Sequence, residues 1–229
     1  MNLYNTSKRV FDITISMFTL LVVSPVLLAV MLLARVKLGS PIIYKAKRVG
    51  ENSKIFTLLK FRSMTNETDV NGIALPDEQR ITKLGSFLRS SSIDELPSLL
   101  NVIKGDLSLV GPRPFSSLYV DRYTERQNRR HSVPPGITGW SQVNGRNSLS
   151  WEEKFELDLW YVENRSFYID LKILFKTVAQ VFSHEDISHD GYVSAPEFIG
   201  TSKQIHSNDS LPDKRTEPVR EIAEVSEYD

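Results

Sequence analysis

The 229-residue chain contains no cysteine, which excludes disulfides and thiolate metal sites and suits a reducing compartment. It has no excess of either charge, with 28 Lys+Arg against 28 Asp+Glu. Nucleic-acid binders show a basic excess or stripe; here the basic residues stand in small clusters, so no nucleic-acid partner is expected. Histidine is scarce, and the four present (His131, His184, His189 and His206) show no metal-ligand spacing. Internal repeats are missing as well, so the length points to one ordinary core with an appendage.

What the chain does have is a long apolar run. Residues 10–36 are almost wholly apolar, broken by Asp12 and small hydroxyl residues. About 20 helical residues suffice to cross a hydrocarbon core. The run is too long for a cleaved signal, and no small-x-small site follows it. Pro25, preceded by Ser24, sits near its middle and removes a backbone hydrogen bond; the Ser24 hydroxyl offers a partner for the carbonyl this frees. Lys8 and Arg9 precede the run, and Arg35 and Lys37 follow it. Basic flanks stay on the cytoplasmic side, so equal flanks suit a helix that enters, breaks and returns. A kinked helix that crosses once fits the same residues.

After Gly39-Ser40-Pro41 the chain turns soluble. Residues 42–48 and 55–61 read as two strands around the turn Gly50-Glu51-Asn52-Ser53, a hairpin. On the second strand Lys60 and Arg62 share a face, either an ordinary solvated face or a cationic wall for phosphate. Residues 65–80 read as a loop, and residues 81–89 as a helix carrying Arg89 at its end. Residues 119–130 read as another helix. Pro134-Pro135-Gly136 and Gly145-Arg146 interrupt regular structure. A helix capped by Ser150 is expected next, with Asp158 embedded in it. A further one, at 168–182, carries Lys172 and Lys176 beside bulky apolar residues, which suits either a core helix or one lying in a membrane interface. From residue 203 the chain is polar and acid-rich and reads as a disordered tail.

Asp94 and Glu95 form a carboxylate pair with two local explanations. Ser92-Ile93-Asp94-Glu95 has capping-box spacing; alternatively Asp94 is itself the cap, with Pro97 in the tolerant first turn. Taken alone, the pair reads as a cap. Its surroundings add chemistry: Arg89 stands five residues before Asp94, and Arg113 is held between Pro112 and Pro114, which restrict its backbone and present a guanidinium suited to bidentate phosphate contact. Adjacent acids suit one carboxylate as nucleophile and the other as a Mg²⁺ ligand, with substrate phosphates completing the shell.

Five segments carry a resemblance: Lys60-Phe61-Arg62-Ser63-Met64, Ile93-Asp94-Glu95-Leu96-Pro97, the run from Leu100 to Asp106, that from Ser108 to Pro114, and that from Pro135 to Arg146. In this order they resemble the bacterial sugar transferase family, the monotopic phosphoglycosyl transferases that start glycan assembly on a polyprenol phosphate. The likeness extends from the apolar run to about residue 200. It implies that Asp94 attacks the β-phosphate of a UDP-sugar, releases UMP and holds the phosphosugar covalently until undecaprenyl phosphate takes it. It implies Glu95, with Asp94, on Mg²⁺; Arg89, Arg113, Lys60, Lys8 and Arg62 on phosphates or nucleotide; Asp158 and Asp170 as supporting acids; and Ser24-Pro25 as the break of a re-entrant helix. An N-acetylated amino sugar is the expected substrate, as in many compact members. Departures are Ile93 before the dyad, Ser98 after Pro97 and Ala46 in the hairpin; none touches Asp94.

The expected fold is therefore α+β and mainly helical. A re-entrant membrane helix (1–38) precedes a compact cytoplasmic catalytic domain (39–202) with a small β-hairpin and interfacial amphipathic helices, and a polar tail (203–229) follows. The expected place is the bacterial inner membrane, with the domain on its cytoplasmic face, membrane lipid around the helix and downstream glycosyltransferases as partners. The competing class is a membrane-anchored calcium-binding module. Residues 186–197 have EF-hand spacing, with Asp186, Asp190 and Glu197 at the first, fifth and last positions and Gly191 sixth. Pro196 stands where the exit helix should begin, and the loop has no second copy. A membrane-anchored scaffold without chemistry would leave the acid pair and the Pro-Arg-Pro arginine without purpose.

Overall fold

The computed structural model describes residues 3–69, 72, 75–145, 148–183 and 197–201. The apolar run forms most of one helix, α1 (Leu3–Lys37), assigned without interruption through Pro25. At 1.5 Å per residue its path is about 50 Å, longer than the roughly 30 Å of a hydrocarbon core. It is the one helix among the described residues long and apolar enough to cross a membrane. The Ser24 hydroxyl donates to the Leu21 carbonyl at 2.8 Å, the acceptor that residue 25 would have used had it an N–H. Side chains in the middle of α1, among them Phe18, Leu21, Val22 and Leu28, are exposed, whereas Lys8, Asp12 and Ser16 near its start and Val30 and Ala34 near its end are buried.

The hairpin forms as expected, with β1 (Ile43–Val49) antiparallel to β2 (Ile55–Phe61) and Ala46 opposite Leu58. Asn52 and Ser53 in the turn adopt left-handed φ values of 54° and 59°. The outer edge of β2 is closed by a side chain: Asn101 Oδ1 accepts from the Leu59 amide at 3.1 Å, and its Nδ2 donates to the Thr57 carbonyl at 2.8 Å. Asn101 thus imitates a third strand and ties the hairpin to α4 (Leu99–Lys104).

Two short helices come before α4: α2 (Asp77–Arg80) and α3 (Lys83–Ser90), the latter capped by Thr82, whose hydroxyl accepts from the Gly85 amide. A Cβ on Gly85 would lie 1.7 Å from the Ser63 carbonyl oxygen, so only glycine lets α3 sit this close to the chain leaving β2. A second sheet pairs β3 (Ser108–Val110) in parallel with β4 (Gly136–Thr138). The sequence reading missed both strands, because three residues are too few for periodicity and the flanking prolines read as breaks. The strands meet backbone to backbone: a Cβ on Gly136 would fall 2.1 Å from the Gly111 amide nitrogen.

Residues 119–130 do not form the single helix expected. They divide into a 3-10 turn (Ser117–Arg122), α5 (Glu125–Asn128) and the start of a second 3-10 turn (Arg129–Ser132). Thr124 and Gln127 form a capping box that starts the chain anew in the middle. α6 (Trp140–Val143) follows β4. α7 (Trp151–Asn164) begins at a Ser150–Glu153 capping box, as read, and α8 (Phe167–Ser183) matches the other expected helix. The main core joins the hairpin, α4, β3, Tyr161 of α7 and Ile173 of α8, with Phe11, Ile15 and Leu20 of α1 packed against it.

Replacing Asn101 with Leu should leave the Leu59 amide and Thr57 carbonyl without buried partners. We expect a loss of about 2–4 kcal/mol, read from the midpoint of denaturant unfolding in detergent.

Candidate active site

The acid pair does not cap a helix. Ser92 turns the chain through a left-handed φ of 57° with no side-chain cap, and residues Ile93–Ser98 form a 3-10 helix with Asp94 and Glu95 already inside it. Both capping readings are thereby corrected: the Glu95 side chain points away from Ser92, toward cations from two other elements. Lys60 Nζ, at the end of β2, lies 2.5 Å from Glu95 Oε1. Arg113, from the Pro-Arg-Pro turn after β3, lies 3.2 Å from the same oxygen. Oε2 accepts no hydrogen bond among the described residues.

Asp94 is buried beside this ion pair and accepts no hydrogen bond among the described residues. Burial and the neighbouring Glu95 charge raise its pKa to about 6, against the opposing pull of Lys60, Arg89 and Arg113. Burial also works against Glu95, yet Lys60 and Arg113 prevail and hold it down at about 2. Two adjacent carboxylates have thus been driven apart, one locked as an anion and one poised near neutrality.

Arg89 ends α3, where its Nε donates to Ser63 Oγ at 3.0 Å and a terminal nitrogen lies 3.4 Å from Met64 Sδ. It is close enough to favour the Asp94 anion. Arg62 is not brought to the pair. β2 ends at Phe61, so the strand alternation stops there, and the buried guanidinium donates to the carbonyls of Met64 (2.8 Å) and Ser40 (3.2 Å).

Lys8 and Asp170 form a separate polar cluster that anchors α1. Lys8 Nζ lies 3.0 Å from Asp170 and 3.8 Å from Asp12. Asp170 accepts from the hydroxyls of Tyr4 (2.8 Å) and Tyr161 (2.7 Å), and Asp12 accepts from Ser108 at 2.6 Å. Asp158, fully buried, is bound by Arg130 and by Ser141. Arg130 escaped the sequence reading, since it stood in a basic run with nothing to mark it as buried. Burial and the Arg130 charge lower the pKa of His131 to about 3 and keep it neutral. The broad groove lined by Trp140, Leu157, Leu159, Trp160, Arg126, Glu156 and Glu163 contains none of the predicted site residues. Of the EF-hand-like segment, residues 186–196 lie outside the described residues, as do the tail 203–229 and Arg146; Glu197 pairs with Arg122 at 2.6 Å.

Residues 3–184 match the family model described as bacterial sugar transferase. The chain is 55% identical over 194 residues to the uncharacterized sugar transferase EpsL of Bacillus subtilis, covering 85% of this chain and 96% of that one. It is 40% identical over 185 residues to the UDP-glucose:undecaprenyl-phosphate glucose-1-phosphate transferase of Escherichia coli, covering 76% of this chain and 40% of the relative. It is 34% identical over 189 residues to the UDP-N-acetylgalactosamine-undecaprenyl-phosphate N-acetylgalactosaminephosphotransferase of Aeromonas hydrophila, covering 79% and 45% respectively. The chain thus spans almost all of the first relative and less than half of the other two.

Because its raised pKa means that the folded state disfavours the charged form of Asp94, stability should fall as pH rises through about 6. Asp94→Asn should therefore be more stable than the wild type at pH 7.5 by about 2–3 kcal/mol. The gap should close as pH falls below about 4, where both proteins carry a neutral group. Melting temperatures across this pH range check the sign.

Proposed function

Because the chain belongs to the bacterial sugar transferase family, we propose that it moves a sugar 1-phosphate from a UDP-sugar to polyprenol (undecaprenyl) phosphate and releases UMP. The observation that carries this reading is the split environment of the dyad: Asp94, buried and accepting no hydrogen bond among the described residues, beside a Glu95 paired with two cations on one oxygen. An ionised carboxylate with a pKa near 6 is available at neutral pH and is more nucleophilic than one at its ordinary value.

In the proposed first step Asp94 attacks the β-phosphorus, the bond to the bridging oxygen breaks, and UMP departs with that electron pair. In the second, a phosphate oxygen of the polyprenol attacks the same phosphorus and displaces Asp94. Both nucleophiles are anions, so neither step requires a general base. Lys60, Arg113 and Arg89 surround the pair with the positive charge that a diphosphate needs.

Mg²⁺ takes one or two carboxylates and fills its shell with substrate phosphates and water. Glu95 Oε2, with Asp94, is the donor set that would hold it, and the ion would supply charge neutralisation to the diphosphate. We take an N-acetylated amino sugar as the first substrate to test, with UDP-glucose as the comparison, since one relative is named for each kind. The lipid-linked product would pass to downstream glycosyltransferases.

We propose that α1, although helical throughout, bends at Ser24-Pro25 so that it enters the inner membrane and returns, leaving the domain on the cytoplasmic face. The start of α1 is anchored through Lys8 and Asp12, while Val30 near its end packs with Phe61 and Leu88. A helix that crossed once would part its two ends by the bilayer thickness. Both ends meet one domain here, and the exposed apolar middle is what would face lipid. No observation favours the calcium-binding alternative; Glu197, its last ligand, is engaged by Arg122.

Incubation with labelled UDP-sugar and Mg²⁺ should leave phosphosugar on the wild type and none on Asp94→Asn, and chelation should abolish labelling. Glu95→Gln should raise the Mg²⁺ requirement roughly tenfold or more. The acidic limb of kcat/KM should fall near pH 6. A stable adduct on Asp94→Asn would defeat the assignment. Since the chain has no cysteine, single cysteines at Asn5 and Leu38 should both react from the cytoplasmic side; labelling of the two from opposite sides would mean a single crossing.

A further inference from the structure

Residues 197–201 lie beyond residue 184, where the family match ends, and pack against the domain. Phe198 is fully buried among the rings of Tyr119 (5.9 Å between centroids), Tyr123 (5.7 Å, stacked), Trp151 (5.4 Å) and Phe155 (5.1 Å). Arg122 donates to both Glu197 Oε1 and the Phe198 carbonyl. Gln127 Nε2 donates to Thr201 Oγ1 at 2.8 Å. Five residues are thus held at three points.

The far wall of this aromatic box is Phe115, edge-on to Trp151 at 4.9 Å and to Phe155 at 6.0 Å. Phe115 lies two residues after Arg113. Over its ring, 4.3 Å from the centroid, sits the guanidinium of Arg130. That group donates from Nε (3.1 Å) and a terminal nitrogen (2.5 Å) to Asp158 Oδ2, and from the same terminal nitrogen to the Arg113 carbonyl at 2.6 Å. Ser141 holds the other Asp158 oxygen at 2.8 Å. Arg113 is therefore gripped through its own backbone by a buried arginine, and Phe198 fills the box against which that arginine packs.

We infer that Phe198 is a positioning residue for Arg113: the docked segment 197–201 completes the box that fixes Arg130, and Arg130 fixes the backbone that carries the Arg113 side chain to Glu95. This rests on the reading of Arg113 as a phosphate-binding group. The physical basis is that a guanidinium in an aromatic box is held by packing and by exclusion of water. Emptying the Phe198 position leaves a cavity within that box, and the Pro-Arg-Pro turn then loses its rear support. An ordinary core phenylalanine would behave differently, since its loss would lower the folded fraction without singling out the Arg113 turn.

The test uses the full-length protein in detergent with Phe198→Ala, Phe198→Leu, Arg113→Ala and the double variant Phe198→Ala/Arg113→Ala. Amide exchange in residues 111–116 should quicken roughly tenfold in Phe198→Ala while that of α3 is unchanged, and Phe198→Leu should restore most of the protection. With a UDP-sugar that the wild type turns over, KM should rise roughly tenfold for Phe198→Ala with kcat within about twofold. On the Arg113→Ala background the same substitution should add nothing further to KM, because both act through one side chain. Unchanged exchange at 111–116, or a full additional KM penalty in the double variant, overturns the inference. Exchange is read without turnover: a wild type that releases no UMP from any UDP-sugar refutes the transferase reading, while the response of the turn still decides whether Phe198 positions it.

Discussion

Repulsion between adjacent carboxylates is the constraint on which the site depends. Asp94 and Glu95 stand side by side in a short 3-10 helix, partly removed from water, where like charges weaken each other's ionisation. Lys60 and Arg113 resolve the conflict by meeting one oxygen of Glu95, leaving Asp94 to bear the cost of burial. This sets requirements on the fold. β2 must end with Lys60 facing the pair, the turn after β3 must project Arg113, and α3 must bring Arg89 near. The Asn101 side chain on the edge of β2 and the glycine contacts of Gly85 and Gly136 hold these three pieces together.

A second polar cluster does for α1 what the first does for the pair. Lys8, Asp12, Asp170, Tyr4, Tyr161 and Ser108 bind the start of an apolar helix to α7, α8 and β3. Buried polar groups of this kind specify one arrangement because any other leaves charges unpaired. Hydrophobic contact of Val30 with Phe61 and Leu88 secures the other end. The residues that anchor α1 and those that hold the acid pair share the short stretch from β3 to the Pro-Arg-Pro turn, so the membrane helix and the chemistry rest on one scaffold.

Much of this architecture is legible in the residues themselves. The hairpin announced itself by alternation and turn residues, and α7 by Ser150 and Glu153. The Ser24-Pro25 pair predicted its own hydrogen bond. Other features were hidden for definite reasons. β3 and β4 are too short to show a period and are flanked by prolines. The stretch from residue 119 to 130 has helical composition but is reset by the Thr124 box. Arg62 looked like a companion to Lys60 because strand alternation was assumed one residue too far. Lys8, Asp158 and Asp170 stood out in the sequence as well; the structure places Lys8 and Asp170 in the cluster that anchors α1 and binds Asp158 to Arg130 and Ser141.

The sequence alone determined the chemistry available: an acid pair, arginines at fixed spacings, an apolar run with a proline in its middle, and the motif order that shows the family. These are local facts, written in residue type and spacing. Which acid keeps its charge, which cation meets which oxygen, and that Arg130 and Phe198 stand behind Arg113, were decided only by tertiary structure. The reason is that ionisation and packing depend on distance and burial, and residues 60, 95 and 113 become neighbours only when the chain has folded.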